Sequence, residues 1–558
     1  MATLLGLDKK NIGTKTPLMY SKIRTILETA FYRNNVINVG TLREAYNLAK
    51  NSPGTVVTDL PIYKAEEMGL PQDSKVLIFN DGDRTGRTSA ARKILGDRGV
   101  DENEYAGKLR EAVFSSRKKK MYRASVCVGL HEDFMVRAHL MIPEGYENIL
   151  YSWMLNFQDF SDDIKVKYDS SKIIEEGDIF VYSDPDWSHE NHPVGLTFFD
   201  SDHNCAALLG MRYFGEHKKG TLTLAWTIAT RCGYTPCHGG QKRYNLPNGE
   251  KFVVGVFGLS GSGKSTITHA KHRDKYDVTV LHDDAFIISN EDGSSISMEP
   301  SYFDKTQDYP TDSPDNKYLL TMQNCAATMD NEGKIVPVTE DIRNGNGRAV
   351  KSKYWSPNRA YKFDKKCDAI FWLMKDESMP PVMKINSATL AATLGATLAT
   401  KRSSAEHLLK GVDSNKLVIE PYANPFRTYP LCNDYKKFKS LFKERKIECY
   451  ILNTGFFLHR KITPDITLGI IESIIEKKGG FKKFGPMDNI EYLEIEGYNP
   501  NFEDVNYINL VQSRIQTRLD FIGELREFNR LPYEASESLY KILEKLDSVK
   551  NNKSQNEE

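Results

Sequence analysis

The stretch Lys251–Ser265, KFVVGVFGLSGSGKS, decides how this chain is read. Its first part, Lys251–Phe257, is a compact β-rich apolar run and predicts a buried strand. GLSGSGKS, from Gly258 to Ser265, then fits the phosphate-loop pattern without a mismatch. Glycines there let successive backbone N–H groups turn inward around phosphate oxygens, where side chains would block the approach. A helix predicted over Lys264–His272 adds the partial positive charge of its N-terminus. Lys264 is expected to reach the β/γ-phosphates as a point charge, and the Ser265 hydroxyl to ligate Mg²⁺. Gly258, Leu259, Ser260, Gly261, Ser262, Gly263, Lys264, Ser265 and Thr266 together form the predicted nucleotide cradle.

A second apolar run, Val278–Leu281, predicts a strand that delivers the acidic pair Asp283-Asp284. Alone, two adjacent aspartates are more often a solvated strand end or a helix cap. Beside the glycine loop they arrive where a metal-binding carboxylate is needed. The loop fixes triphosphate binding but not the acceptor, because phosphate loops serve kinases, hydrolases, motors and switches.

Working outward, 558 residues allow two to four domains at roughly 150 residues each. Lys+Arg and Asp+Glu are both 75, so no global attraction to nucleic acid or to an anionic membrane is indicated. No run approaches the ~20 apolar residues that span a bilayer, and the first residues lack the order of a secretory signal. The eight cysteines are scattered, which suits reduced, buried thiols better than a disulfide framework. A cytoplasmic location is expected; oligomeric state leaves no signature. Helical faces at Ile23–Ala30 and Leu42–Leu48 precede strand-like runs at Lys75–Phe79, Ala124–Val128, Phe134–Ile142 and Asp178–Tyr182. Beyond the loop, strands are expected at Ala369–Leu373 and Cys449–Leu452, and helices at Ile466–Glu476, Tyr507–Glu527 and Glu534–Val549. The expected fold is α/β: an N-terminal mixed α/β domain (1–233), a C-terminal P-loop mononucleotide-binding domain (234–548) and a disordered tail (549–558).

Several further segments make the chain similar to the ATP-dependent phosphoenolpyruvate carboxykinases, as a divergent member. GLSGSGKS resembles that family's loop. RYFGEHKKG (Arg212–Gly220) resembles the segment with a substrate-side Tyr and a metal-ligating Lys, which places Tyr213, Lys218 and Lys219. CHGG puts His238 at the family's metal-binding His, DRTGRTSAARK puts Arg87 at a carboxylate-binding Arg, and NGNGRAV puts Arg348 at an Arg shared by substrate and transferred phosphate. SISMEPSYFDK retains Glu299 and Lys305, PPVMKI resembles a Pro-Pro-Val stretch, and ILNTGFFLHRKITPDIT suggests Lys461 and Thr467 as adenine-side contacts.

The resemblance implies conversion of oxaloacetate, or a related dicarboxylate, and ATP to phosphoenolpyruvate, CO₂ and ADP, a step of gluconeogenesis. Loss of CO₂ leaves an enolate whose charge a divalent cation holds as a Lewis acid. The implied ligands of that cation are Lys219, His238 and Asp284, a nitrogen/oxygen set that suits Mn²⁺. Lys219 must be neutral to coordinate, and the nearby cations together with burial would lower its pKa. Mg²⁺ on Ser265 neutralises the nucleotide. Arg87 holds a carboxylate bidentately. Asp283, Lys218, Tyr213 and Arg348 complete the implied catalytic set. The family's Glu-His-Gly after the acidic pair is Ala285-Phe286 here, Pro300-Ser301 replaces a glycine pair, and Leu409–Arg427 reads as an insertion.

Taken singly, each residue has a plainer reading. Arg87 and Arg348 read as surface or ion-paired arginines, Tyr213 as a core aromatic and Lys218-Lys219 as a solvated pair. His238 beside Cys237 hints at zinc, but a structural site needs four ligands. Their joint occurrence in family order reverses those odds. The alternatives are a divergent kinase on the same scaffold, acting on another small molecule or a protein, and a non-catalytic nucleotide sensor.

Overall fold

The computed structural model describes residues 21–79, 91–259, 261–306, 310–339, 347–401 and 417–556. These fall into two compact units. One takes the residues up to Cys232 with Ser297–Pro357, the other Gly233–Ile296 with the residues from Asn358 onward. The expected 234–548 domain is thereby corrected, because Ser297–Pro357 folds back into the first unit. The cause is a shared sheet: Tyr302–Lys305, Arg348–Lys351 and Leu319–Gln323 continue in that order onto Lys75–Phe79 and Thr55–Pro61.

The first unit's larger sheet runs in the order Val36–Val39, Met121–His131, Phe134–Pro143, Ile179–Asp184, Cys205–Leu209, Leu196–Asp200 and Arg92–Ile94. Behind it lies the helix Phe214–Arg231, buried at every position but the last. Its polar side chains find partners both within the helix and outside it. The hydroxyls of Thr221, Thr227 and Thr230 donate to carbonyls four residues back, and Trp153 Nε1 donates to Thr221 Oγ1 at 2.9 Å. Among the described residues no helix is long and apolar enough to cross a membrane.

The second unit centres on three parallel strands, Lys251–Phe257, Ala369–Met374 and Glu448–Asn453. Strands buried on both faces need continuous apolar sequence, and these have it. Successive side chains alternate between faces. Val254, Val256, Phe371 and Leu373 pack toward the helices Lys264–His269 and Pro464–Ile475. Val253, Phe257, Ile370, Trp372 and Met374 pack the other way, toward Ala388–Ala396, Leu431–Lys443 and Val505–Glu524.

Of the boundaries that differ from expectation, two have a cause in the structure. The helix after the glycine loop ends at His269 rather than His272, because Ala270 turns extended (φ −60°, ψ 127°) and His272, Arg273 and Asp274 then take left-handed φ values of 52°, 57° and 58°. The last helix, Tyr533–Asn556, runs through most of the segment expected to be a disordered tail. Val549 packs against the core and Lys550 Nζ donates to Asn509 Oδ1 at 2.8 Å, which ties down that turn.

The helix Val505–Glu524 is fixed to the sheet by a buried ion pair, Arg518 Nη2 to Asp376 Oδ2 at 3.0 Å. Removing one partner leaves an uncompensated buried charge. Arg518→Met is therefore expected to lower the unfolding free energy by roughly 3–5 kcal/mol, read from urea unfolding of the full chain.

Candidate active site

The glycine loop occupies the turn between the Lys251–Phe257 strand and the Lys264–His269 helix. Gly258 is required by space: a Cβ there would lie 2.3 Å from Ser262 Oγ and 2.9 Å from Leu373 Cβ. Gly263 is required by conformation, since it precedes the helix at φ 94°. Ser265 and Thr266 are exposed in the first turn. Ser260 lies outside the described residues, as does Arg87.

The acidic pair divides its work because consecutive residues point different ways. Asp284 Oδ1 lies 3.3 Å from Lys264 Nζ and 3.1 Å from His238 Nε2. Asp283 turns instead to His269 Nε2, 3.5 Å away, with His282 Nδ1 at 3.8 Å. Burial raises the Asp283 carboxyl. The His269 hydrogen bond and the charges of His269 and His282 outweigh burial and hold it well below the usual carboxylate range.

His238 and Asp284 meet because their strands pair. Tyr234–His238 runs antiparallel to Ala285–Ser289, with His238 opposite Ala285, and Gly239 N donates to Asp284 O at 3.1 Å. The Ala285-Phe286 departure thus opens the buried strand that pairs with the one carrying His238. His238 Nδ1 hydrogen-bonds the Ala423 carbonyl. A carbonyl only accepts, so Nδ1 carries a proton; Nε2, facing Asp284, is a lone pair in the neutral ring and an N–H in the imidazolium. Either a proton or a divalent cation reconciles a lone pair and a carboxylate at that distance. Two ligands at right angles and about 2.1–2.2 Å from one cation lie about 3.0–3.1 Å apart. The pair fits a metal. Among the described residues no group of three or more His, Cys, Asp and Glu is placed to hold one, and the implied set draws only His238 and Asp284 from those types.

The first unit carries a separate cluster. Tyr213 precedes the Phe214–Arg231 helix, and its hydroxyl accepts from Arg348 Nε at 3.1 Å. Gln323 clamps that helix start: its Oε1 accepts from Phe214 N and its Nε2 donates to Arg212 O, both at 3.0 Å. Lys305 and Gln323 are the register partners of Arg348 on either side. Lys218 is fully buried and paired with Glu299 at 2.9 Å, and Glu299 also accepts from Asn156 Nδ2 at 2.6 Å. Lys219, 7% exposed, lies with its Nζ 6.0 Å from the Trp226 ring centroid. The reading of Lys218-Lys219 as a solvated pair is overturned.

The residues expected on the adenine side sit in a different setting. Asn453 is buried, and its Nδ2 donates to the carbonyls of Asp376, Met379 and Phe456. It shapes its own loop. Thr467 Oγ1 donates to Thr463 O at 3.3 Å within its helix, and Lys461 lies exposed in the short Phe456–Lys461 hairpin.

A sequence model of the family described as phosphoenolpyruvate carboxykinase matches residues 65–484, well over half of the chain. The chain belongs to that family. It is a phosphoenolpyruvate carboxykinase-like enzyme. It is 25% identical over 475 residues to the phosphoenolpyruvate carboxykinase (ATP) of Aeropyrum pernix, covering 82% of this chain and 91% of the relative. Proteins of the same name from Kluyveromyces lactis and Eremothecium gossypii are 20% and 22% identical, over 42% and 40% of this chain and 45% and 43% of their own lengths.

Three residues that position candidate site residues of this carboxykinase-like chain escaped the sequence reading: Gln323, Ala423 and Lys242. The last had a signal, since Lys242 shares its strand face with the buried Tyr244. Lys242 Nζ donates to Ile267 O and to Ala270 O at 3.0 Å, capping the helix after the loop at its C-terminal end. Burial draws its ammonium from 10.5 down to about 7. Between those values the unfolded chain binds a proton that the folded chain has released, so stability rises with pH across that window. The slope approaches ~1.4 kcal/mol per pH unit. Lys242→Met is expected to remove that increment, seen as the difference between the two proteins' urea stabilities from pH 7 upward.

Proposed function

We propose that this chain catalyses the reversible, metal- and ATP-dependent decarboxylation and phosphorylation of oxaloacetate to phosphoenolpyruvate, CO₂ and ADP. One observation carries the reading: Asp284 Oδ1 gathers the loop lysine Lys264 and the imidazole His238 within 3.3 Å. A plain nucleotide switch needs the lysine and the carboxylate. It has no use for an imidazole aimed at the same oxygen. The relatives' name supplies the nucleotide, ATP, and the chemistry supplies the class of substrate, a small dicarboxylate. No nucleic acid or membrane enters the reaction, and the cytoplasm is the proposed compartment.

In this reading the P-loop unit holds the triphosphate through backbone N–H groups of Gly258–Thr266 and through Lys264. His238 and Asp284 hold a divalent cation, Mn²⁺ or Mg²⁺, with Lys219 as a further ligand, and Ser265 holds the nucleotide's own Mg²⁺. When bound, these cations supply Lewis-acid stabilisation of the charge left by decarboxylation and neutralise the phosphates. Asp283, held as a carboxylate, keeps negative charge beside Asp284. Arg87 binds a substrate carboxylate bidentately. Arg348, oriented by the Tyr213 hydroxyl, offsets charge on the transferred phosphoryl group. Lys218, paired with Glu299 at 2.9 Å, stands next to Lys219 in the same buried helix. Lys305, Lys461 and Thr467 complete the nucleotide contacts.

The Ala285-Phe286 strand favours one second reading, a kinase on the same scaffold with another acceptor. It places apolar, buried residues where the family has charged and polar ones.

The test is to incubate the protein with Mn²⁺, ATP and oxaloacetate and to measure phosphoenolpyruvate and ADP. Equal yields of the two are expected. ADP formed without dependence on oxaloacetate would favour the kinase, and ATP binding without turnover would sink both readings. Arg348→Met is expected to lower kcat about 10³-fold. Lys219→Met and His238→Ala are expected to abolish metal-dependent turnover while nucleotide binding, followed by calorimetry, persists.

A further inference from the structure

The carbonyl that receives the His238 proton belongs to an unusual stretch of backbone. In the short 3₁₀ turn Pro421–Ala423, Tyr422 (φ 53°, ψ 23°) and Ala423 (φ 52°) are consecutive left-handed residues, and neither is glycine. That region is uncommon for any side chain and an outlier for a bulky one. Such backbone persists only where its surroundings over-determine it.

The surroundings here do so. The Tyr422 ring stacks on Phe438 at 4.6 Å with 10° between planes, and its hydroxyl donates to Ala392 O at 2.9 Å. Glu420 N donates to Leu398 O at 2.9 Å, Ala423 N to Glu420 O at 3.1 Å, and Asn424 N to Pro421 O at 2.9 Å. Tyr422 and Ala423 are both buried. At the far end the Phe426 ring stands edge-on to the imidazole, 5.2 Å away at 82°. The dihedrals of Tyr422 and Ala423 set where the Ala423 carbonyl points. Were they to relax to right-handed values, that carbonyl would swing off the imidazole.

We propose that Glu420–Phe426 is a positioning strap for His238: the Ala423 carbonyl fixes the Nδ1–H tautomer, so that Nε2 is the atom offered to a divalent cation. This rests on the reading of His238 as a metal ligand. A ligating histidine is ordinarily oriented by a hydrogen bond from its other nitrogen, and losing that partner typically weakens metal binding 10- to 100-fold. Here the orienting group is a main-chain carbonyl, so no substitution deletes it directly. What can be deleted is the anchor that holds it, Tyr422.

The experiment uses the full chain labelled with ¹⁵N-histidine, and long-range ¹H–¹⁵N spectra that report ring tautomers. The His238 signal is assigned by its loss in His238→Ala. Nδ1 is expected to be protonated in both states, with Nε2 bare when Mg²⁺ is bound and protonated as well where the ring pairs with Asp284 without metal. Tyr422→Ala is expected to give mixed tautomers and Mn²⁺ binding, read by electron paramagnetic resonance, at least ~10-fold weaker. Tyr422→Phe keeps the stacked ring and is expected to stay within a few-fold of wild type in both readouts. A bare Nδ1 in the wild type would overturn the proposal, even if Tyr422→Ala failed to fold. So would a folded Tyr422→Ala with unchanged tautomer and Mn²⁺ affinity. Mn²⁺ affinity unchanged in His238→Ala would remove the ligand reading itself, a failure told apart by a wild-type Nδ1 that is still protonated.

Discussion

The Oδ1 atom of Asp284 is where the second unit's chemistry is concentrated. One neighbour, Lys264 Nζ, is a cation that a carboxylate attracts; the other, His238 Nε2, is a lone pair that it repels unless a proton or a cation lies between them. The fold spends several elements on this one contact. The Lys251–Phe257 strand and its glycines deliver the lysine, the Asp277–His282 strand delivers the aspartate, and the pairing of Tyr234–His238 with Ala285–Ser289 delivers the imidazole. Shifting either strand of that last pair by one residue would turn His238 to the other face.

Where burial repeats with the period of an element, the sequence was sufficient. The Lys251–Phe257 strand is bounded as its apolar run predicts, and the parallel strands beside it lie within a residue or two of their expected limits. Periodicity failed where polar residues are buried by partners far along the chain. Lys218 and Lys219 sit in an 18-residue buried helix whose hydrophilic start hides it, and Lys218 is neutralised by Glu299, 81 positions away. The return of Ser297–Pro357 to the first unit has the same origin. Its Leu319–Gln323 strand pairs with Lys75–Phe79, and nothing local announces a partner more than two hundred residues upstream. Asn453 shows the converse: its loop motif was legible, but its amide is committed to three backbone carbonyls.

That Asn453 loop also connects the family's matched region to the helices beyond it. Asp376 accepts from Arg518 on the Val505–Glu524 helix through its carboxylate, while its carbonyl accepts from Asn453. Tyr507 reaches Ser378 O at 2.8 Å, and Arg514 reaches Glu377 at 2.7 Å. Residues outside the matched 65–484 therefore fix the backbone of a loop inside it. A buried ion pair is a poor way to gain stability but a specific one, because it tolerates few alternative geometries.

The same reasoning separates two kinds of buried charge in this chain. Lys218–Glu299 and Arg518–Asp376 each join opposite charges and are held by further contacts, Asn156 on Glu299 and Arg514 on Asp376. Their charges are opposed without a ligand. Asp284 also pairs with Lys264, and a proton between it and His238 Nε2 would hold the place that a divalent cation takes. A ligand that binds the folded chain there adds to its stability by mass action. The left-handed backbone at Tyr422 and Ala423 belongs on the same side: it orders a ring nitrogen ahead of any ligand, which is strain held in place by the aromatic packing around it. The rigid sheet beneath makes both tolerable, since the side chains that meet at Asp284 come from strands and a helix start rather than from free loops.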